Sequence, residues 1–391
     1  MGYLTELQIS GLGGDATERS FAFRSGINVI FGNNGGGKTT MLRTLYSALR
    51  NDASIIEDTS VTDATVSFYS QNYDAVVTRV LNRTISKVGF DLKASLPDED
   101  SSEQDSSVVT SLDWVCTTEG PWSDRAYSSH FLPVSRLYQA ALERRLRGYY
   151  SPADAARELD NPAKNEASLE ATFVLKFNQR WSEFTANLLA EVQRIQQEGI
   201  ASILQTVMLH RPGPDNSPPG DADAAYELAS TFFARQPELR ALLQKKHEFV
   251  NLYQGNPALR AVIRNIDSTE QQIKEAQRQR NFLNDSLNSL FKGKTVLLTD
   301  SGISIVDRWE KPLTLESLST GEKQVLILFL EALTINNGVL LIDEPEISLH
   351  IEWQRRILAT LNLLAPKAQI VVATHAPEIM ADLDDESIFR I

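Results

Sequence analysis

Cysteine is almost missing from this sequence: Cys116 is the single one in 391 residues. One thiol can neither close an intrachain disulfide nor build a cysteine-rich zinc site, so the fold must rest on a core rather than on covalent staples. Long hydrophobic runs are missing too. No stretch approaches the ~18 consecutive apolar residues of a membrane span. The opening Met1-Gly2-Tyr3-Leu4-Thr5-Glu6 has neither the basic nor the apolar region of a leader peptide. These absences lead us to expect a cytoplasmic protein with no membrane partner. Positive charge is also short, with 38 Lys and Arg against 51 Asp and Glu, a net charge of −13. That disfavours nucleic acid binding over the whole surface and leaves room only for a local basic groove. Core material is plentiful: 42% hydrophobic and 23% charged residues are ordinary globular composition. The length suits two or three domains, or one large α/β core with an insertion.

The patterning favours the second arrangement. Leu4–Ile9 alternates as a half-buried strand, and Gly11, Gly13 and Gly14 end it. Ile27–Phe31 reads as a buried strand, followed by a glycine-rich turn and a helix over Thr40–Leu49. Residues 64–90 alternate and read as antiparallel strands; Pro97–Ser107 has almost nothing to bury and reads as a mobile loop; His130–Val134 reads as a core strand. From about Ala167 to Leu209 the residues Phe177, Trp181, Phe184, Leu188 and Ile195 recur with helical spacing, and a Pro/Gly-rich breaker follows near 211–223. A second helical stretch runs to Phe291. In it Ile266, Ile273 and Leu287 fall in one heptad register, interrupted by Arg280, and Ala276, Leu283 and Leu290 in the other. A coiled-coil hairpin and a plain lobe of packed helices fit this pattern equally. Strands return at Thr295–Leu298, Ile303–Val306, Val339–Ile342 and Ile370–Ala373, with helices from Glu322 and Glu352. We therefore expect a core from residues 1–140 and 292–391 and a helical insertion at 141–291.

Gly32-Asn33-Asn34-Gly35-Gly36-Gly37-Lys38-Thr39 satisfies G-x-x-x-x-G-K-[ST], between a predicted strand and a predicted helix. Glycines let backbone N–H groups turn inward around phosphate oxygens, and the helix N-terminus adds partial positive charge. Lys38 would reach the terminal phosphates, and Thr39 would place its hydroxyl on Mg²⁺. A buried strand then ends in Asp343-Glu344. Beside a P-loop, Asp343 can hold the metal and Glu344 can polarise the attacking water. Ser319 and Glu322 fit a capping box, which needs no ligand; the same helix start, with Ser319 and Gly321, is also an anion site. His375 ends the last core strand, where contact with a γ-phosphate fits. His130, His210, His247 and His350 show no metal-ligand spacing.

The order of P-loop, Leu318-Ser319-Thr320-Gly321-Glu322, Leu340-Leu341-Ile342-Asp343-Glu344-Pro345 and Thr374-His375 resembles that of ATP-binding-cassette (ABC)-type ATPases. Within these, Glu344–His350 is similar to the E-P-E-x-x-L-H-P segment of the recombination, chromosome-maintenance and OLD group. The resemblance implies an α/β ABC-type P-loop NTPase core: a mixed sheet flanked by helices, an antiparallel portion and a coiled-coil-like insertion. It implies ATP and Mg²⁺ as cofactors and ATP hydrolysis as the activity. The nucleotide-binding set would be Gly32, Asn33, Asn34, Gly35, Gly36, Gly37, Lys38, Thr39 and Thr40. Ser319 and Gly321 of an opposing subunit would complete it in a homodimer or larger assembly, with Ser348 to His350 as the D-loop. Thr39 and Asp343 would hold metal; Glu344 and His375 would be catalytic. The sequence departs from the pattern at Thr320 and Glu322, where transporters usually carry Gly and Gln, and at Ile351, where the group commonly has Pro. It lacks a clear Q-loop glutamine; Ser135 and Arg136 fall near that place.

Only 16 residues follow His375, so an effector is expected on a separate chain. That plan resembles the stand-alone ATPases of the Septu, PARIS and retron anti-phage systems. They imply a nuclease or toxin effector, a phage protein as trigger, and nucleic acid reached through the effector. Three alternatives stay open: a DNA-repair or chromosome ATPase, a transporter ATPase subunit, and a scaffold in which ATP only sets assembly. Arg144, Arg145, Arg147, Lys245 and Lys246 are the local basic clusters, and a solvated helix face explains them equally well.

Overall fold

The computed structural model describes residues 2–88, 107–118, 120, 125–133, 162–208, 221–234, 245–335 and 337–391. Nearly all of the expected polar loop at 97–107, Ser135, Arg136, Arg144, Arg145, Arg147 and the 211–220 part of the breaker lie outside these residues. Contacts divide the chain into two compact units. One comprises Met1–Phe177, Ser289–Thr295 and Ile305–Ile391; the other comprises Asn178–Asn288 and Val296–Ser304. No helix among the described residues is long and apolar enough to cross a membrane.

The first unit opens with β1 (Gly2–Ser10), β2 (Arg19–Ala22) and β3 (Ile27–Phe31), and then α1 (Lys38–Arg50). Next come β4 (Asp63–Ser70), β5 (Ala75–Val88), β6 (Ser107–Cys116) and β7 (Ser129–Leu132). An antiparallel sheet has the order β2-β1-β4-β5-β6. Leu4 and Leu7 are both buried although their odd spacing should put them on opposite faces. A register shift between Leu4 and Glu6 against β4 resolves this, turning both side chains inward.

The chain continues through α2 (Pro162–Met208), α3 (Ala222–Ala234), α4 (Lys246–Gly255) and α5 (Pro257–Leu290). It then forms β8 (Lys294–Thr299), β9 (Gly302–Asp307), β10 (Pro312–Leu313), α6 (Thr320–Thr334), β11 (Val339–Asp343), α7 (Ile351–Leu364), β12 (Gln369–Thr374) and β13 (Ile388–Arg390). The second large sheet is wholly parallel, ordered β13-β3-β12-β11-β7. Its central strands β11 and β12 are buried at every position, as expected for strands covered on both faces. Gln369, also buried, stitches this sheet to β1 by accepting from the Leu4 amide (2.7 Å) and donating to the Leu4 (2.9 Å) and Arg24 (2.6 Å) carbonyls. The sequence pattern located the strands at 64–90, 130–134, 339–342 and 370–373 to within a few residues. It missed β2, β10 and β13, which are too short to show a period, and it also missed β6.

The second unit is built around an antiparallel pair, α2 and α5. On α2 a seam of Trp181, Thr185, Leu188, Val192, Ile195, Gly199, Ser202 and Thr206 alternates steps of four and three, and each is buried or half-buried. Ile266, Thr269, Ile273, Leu283 and Leu287 are the buried seam of α5. A Cβ on Gly199 would lie 2.4 Å from Thr269 Oγ1. Asn265 Nδ2 donates to Thr206 Oγ1 at 2.9 Å and to the Ser202 carbonyl at 3.4 Å. Arg280, the break in the heptad, pairs with Asp300 at 2.6 Å. The two sequence readings of this region turn out to coexist. A heptad hairpin carries a small lobe, in which Ala225, Ala229 and Phe232 of α3 cluster with Phe249 and Tyr253 of α4 and Ile263 and Ile266 of α5.

Candidate nucleotide site

Parallel strands all end at the same edge of a sheet, so β3, β12 and β11, which are neighbours, deliver their following loops side by side. Phe31 is in register with Thr374, and Ala373 with Asp343. Hydrogen bonds tie the three loops: the Gly32 amide donates to the Thr374 carbonyl (3.4 Å), and the Glu344 amide to the Ala373 carbonyl (2.8 Å). The P-loop thus shares one edge with Asp343-Glu344 and Thr374-His375, which lie more than 300 residues further along the sequence.

Gly37 precedes α1 with φ 89°, and Gly35 has φ 84°, both in the left-handed region that favours glycine. No side chain caps α1, whose first turn also holds no acid. Its N-terminal amides are therefore left for an anion. Lys38, 4% exposed, donates from Nζ to the Gly32 (2.9 Å) and Asn33 (3.0 Å) carbonyls, which hold the ammonium inside its own loop. Thr40 follows in the first turn, its carbonyl accepting from Thr44 Oγ1 at 2.9 Å. The turn after β1 flanks the loop: a Cβ on Gly13 would sit 3.1 Å from the Gly35 carbonyl oxygen, and one on Gly37 would sit 3.0 Å from the Gly13 amide. Asp15 pins that turn. Its carboxyl is drawn down to about 2, first by the Thr17 hydroxyl and amide and then by Arg19. At the opposite end of α1, the buried Arg79 guanidinium donates to the Ala48 carbonyl, a cation on the negative end of the helix.

Thr39 Oγ1 donates to Asp343 Oδ2 at 2.7 Å, and Asp343 is wholly buried. A hydroxyl beside a carboxylate is a hard-oxygen donor set, which fits Mg²⁺. Glu344 takes a left-handed backbone (φ 44°) and is partly exposed. His375 Nδ1 lies 3.1 Å from Glu346 Oε1 and 3.6 Å from Glu344 Oε1. Sequence reasoning quoted Glu346 only as part of a segment. Its signal was an acid three residues after the strand-end Asp343, the second acid of Glu344-Pro345-Glu346.

The signature segment starts α6. Ser319 caps it as a complete box: the Glu322 amide donates to Ser319 Oγ (3.3 Å), and Glu322 Oε2 accepts from the Ser319 amide (2.8 Å) and hydroxyl (3.0 Å). Lys294 Nζ adds contacts of 2.8 and 2.6 Å to the Glu322 oxygens. Burial pushes the Glu322 carboxyl up, but Lys294 and the Ser319 donors outweigh it and hold the group below the usual range. Gly321 packs on the D-loop position, where a Cβ would lie 2.5 Å from the Ser348 carbonyl oxygen. Ser348 itself is left-handed (φ 64°), and His350 caps α7, with Ile351 at its first position. Proline is favoured at a first helical position because the missing N–H is not needed there, and an isoleucine fills it without loss of a bond. Lys245 and Lys246 begin α4, where Lys246 pairs with Asp223 at 3.0 Å and lies over the Tyr226 ring.

Strand order, P-loop and acid-ended strand together define an α/β P-loop nucleotide-binding fold with a helical insertion. Relatives by sequence agree with that class. Residues 201–381 match a protein-family model described as "AAA domain, putative AbiEii toxin, Type IV TA system". The chain is 27% identical over 189 residues to the "Retron Ec83 probable ATPase" of Escherichia coli, covering 39% of this chain and 34% of that one. It is 31% identical over 97 residues to the "Retron Vc95 probable ATPase" of Vibrio cholerae, covering 24% and 19%. It is 40% identical over 43 residues to the Septu protein PtuA of Bacillus thuringiensis, 11% of each chain. The matched region thus spans about a third or less of the length of these relatives. The Smc head domain of Pyrococcus furiosus superposes with a TM-score of 0.41 and 14% identity over 97% of this chain and 92% of that one.

Proposed function

We propose that this chain binds and hydrolyses Mg²⁺-ATP, and that its ATP state controls a separate effector, a nuclease or toxin, in anti-phage defence. The observation that carries the ATPase reading is the convergence of Lys38, Thr39, Asp343, Glu344 and His375 at one edge of a parallel sheet. In this reading the amides of Gly35 to Thr40 and the Lys38 ammonium bind the phosphates, and Thr39 and Asp343 hold Mg²⁺, which neutralises phosphate charge when bound. Glu344 accepts a proton from the attacking water, and His375 faces the γ-phosphate. Ser319 and Gly321 of a second copy complete each site. The defence role rests on the kinship with the retron ATPases and the Septu protein. A cytoplasmic location, an effector on another chain and a phage-protein trigger belong to the same reading.

Two experiments test it. Lys38→Ala should abolish tight binding of a fluorescent ATP analogue, because backbone amides alone do not neutralise a triphosphate; unchanged affinity would remove the P-loop from the mechanism. Mixing Lys38→Ala with Ser319→Arg chains should restore ATP turnover that neither variant shows alone. Absence of rescue with verified subunit exchange rules out a shared site.

A further inference from the structure

We infer that Glu346 is a positioning residue for ATP hydrolysis: its carboxylate holds His375 by Nδ1 and thereby leaves the Glu344 carboxylate free for water. The inference rests on the proposed ATPase reading and assigns to it a residue that the P-loop and strand-end motifs do not include.

Glu346 is 5% exposed, in a turn between β11 and α7, and it has no lysine or arginine partner among the described residues. One oxygen does all its bonding. Oε1 accepts from Thr374 Oγ1 (2.6 Å), the His375 amide (2.9 Å) and the Ala376 amide (3.3 Å), and His375 Nδ1 lies 3.1 Å away. Oε2, equally buried, has no hydrogen-bond partner among the described residues. A carboxylate that spends its acceptor capacity on three consecutive residues fixes the path of the chain where it leaves β12. That path also carries the Thr374 carbonyl that accepts from Gly32 of the P-loop.

The imidazole makes the arrangement chemical as well as structural. Nδ1 has two acidic neighbours, Glu346 at 3.1 Å and Glu344 at 3.6 Å. The shorter of the two distances favours an Nδ1–H directed at Glu346 rather than at Glu344. Without Glu346 the same N–H would be free to donate to Glu344 and tie up the oxygen that must accept a proton from water. In this arrangement Glu346 sets the ring's tautomer and orientation, and keeps the ring N–H off the Glu344 carboxylate.

The test compares Glu346→Gln and Glu346→Ala with the wild-type chain. Glutamine can keep an acceptor at the Oε1 position, so it preserves the turn and removes only the charge; alanine removes both. Binding of the fluorescent ATP analogue should stay within about threefold in both variants. The turnover number should fall about tenfold in Glu346→Gln and about 10²-fold in Glu346→Ala, the scale of a misplaced reacting group. In parallel, ¹⁵N-histidine NMR, with His375 assigned by His375→Gln, should show a protonated Nδ1 in the wild type and loss of that state in Glu346→Ala. Melting curves identify a variant that fails to fold, in which case Glu346→Gln carries the comparison, its loss of turnover at retained ATP binding supporting the inference. Wild-type turnover in a folded Glu346→Ala chain, or an unchanged His375 signal, overturns the inference. If the wild-type chain turns over no ATP, the proposed function fails instead, and the NMR comparison alone decides whether Glu346 holds the ring.

Discussion

The nucleotide-binding unit and the helical unit solve the problem of positioning in opposite ways. In the first, the candidate chemistry comes from loops far apart in sequence, and the parallel sheet brings them together: Asp343 reaches Thr39 across 304 positions. Buried apolar strands locate polar loop residues, and long-range contacts set the geometry. In the second, local periodicity sets the geometry, and a heptad seam by itself would allow slippage. The α2–α5 seam counters this with small and polar residues, Gly199 against Thr269 and Asn265 against Ser202 and Thr206, which fit in only one register. A core substitution should therefore change chemistry while leaving the fold standing. An arm substitution should change local stability while leaving nucleotide binding alone.

The largest expected effect breaks the comparison on the core side. Glu344→Gln keeps the size of the side chain and removes the charge that takes the proton from water. Turnover should fall ~10²-fold or more with ATP still bound. Stopped ATP hydrolysis alongside retained analogue binding is the supporting pair of measurements. Hydrolysis at the wild-type rate would place the base elsewhere.

A smaller effect tests the arm. Gly199→Ala gains about 1 kcal/mol of helix propensity but pushes a methyl into Thr269, and overpacking of this kind costs about 1–3 kcal/mol. The net result should be a loss of up to about 2 kcal/mol in the arm, read as faster amide exchange along α2 and α5. Adding Thr269→Ala removes the atoms in the way, so the double variant should exchange more slowly than Gly199→Ala alone. ATP binding should be the same in all three. A double variant no better than the single one would mean that this contact does not set the register.

What could be read from the sequence follows the same division. The P-loop and the Asp343-Glu344 strand were legible because their chemistry demands fixed residues at fixed spacing next to a recognisable strand. The heptads of α5 were legible because they repeat, and the break at Arg280 turned out to be a partnered arginine. The packing of Gly13 on the P-loop was not legible, since nothing local marks which glycine a distant turn will touch. Nor was the role of Glu346, because its donors belong to residues 374–376, and only the parallel register of β11 and β12 brings them near. The buried Arg79, stretched between the Ala48 and Arg125 carbonyls, escaped for the same reason. An arginine in an alternating strand reads as solvent-facing until its carbonyl partners are known.

The smallest predicted effect lies at Ser319, where one side chain has two candidate duties. As a cap, its hydroxyl accepts from the Glu322 amide while its own amide and hydroxyl donate to the Glu322 carboxylate, and Ser319→Ala should lower stability by about 1 kcal/mol. As part of a shared site it should also lower turnover in the assembled protein. Glu322→Gln separates the two, because it weakens the box and leaves the serine hydroxyl in place. The folded Glu322 carboxyl is held below its ordinary value by Lys294 and the Ser319 donors against the opposing push of burial. A depressed carboxyl contributes stability above its unfolded pKa and loses it as pH falls through the folded one. The stability gap between wild type and Glu322→Gln should therefore be fullest near neutrality and close in acid, at and below the usual glutamate range. Thermal unfolding across that range checks the sign. A gap that widens on acidification would show that the carboxylate is not what holds the box, and would return the start of α6 to its hydroxyl and its backbone alone.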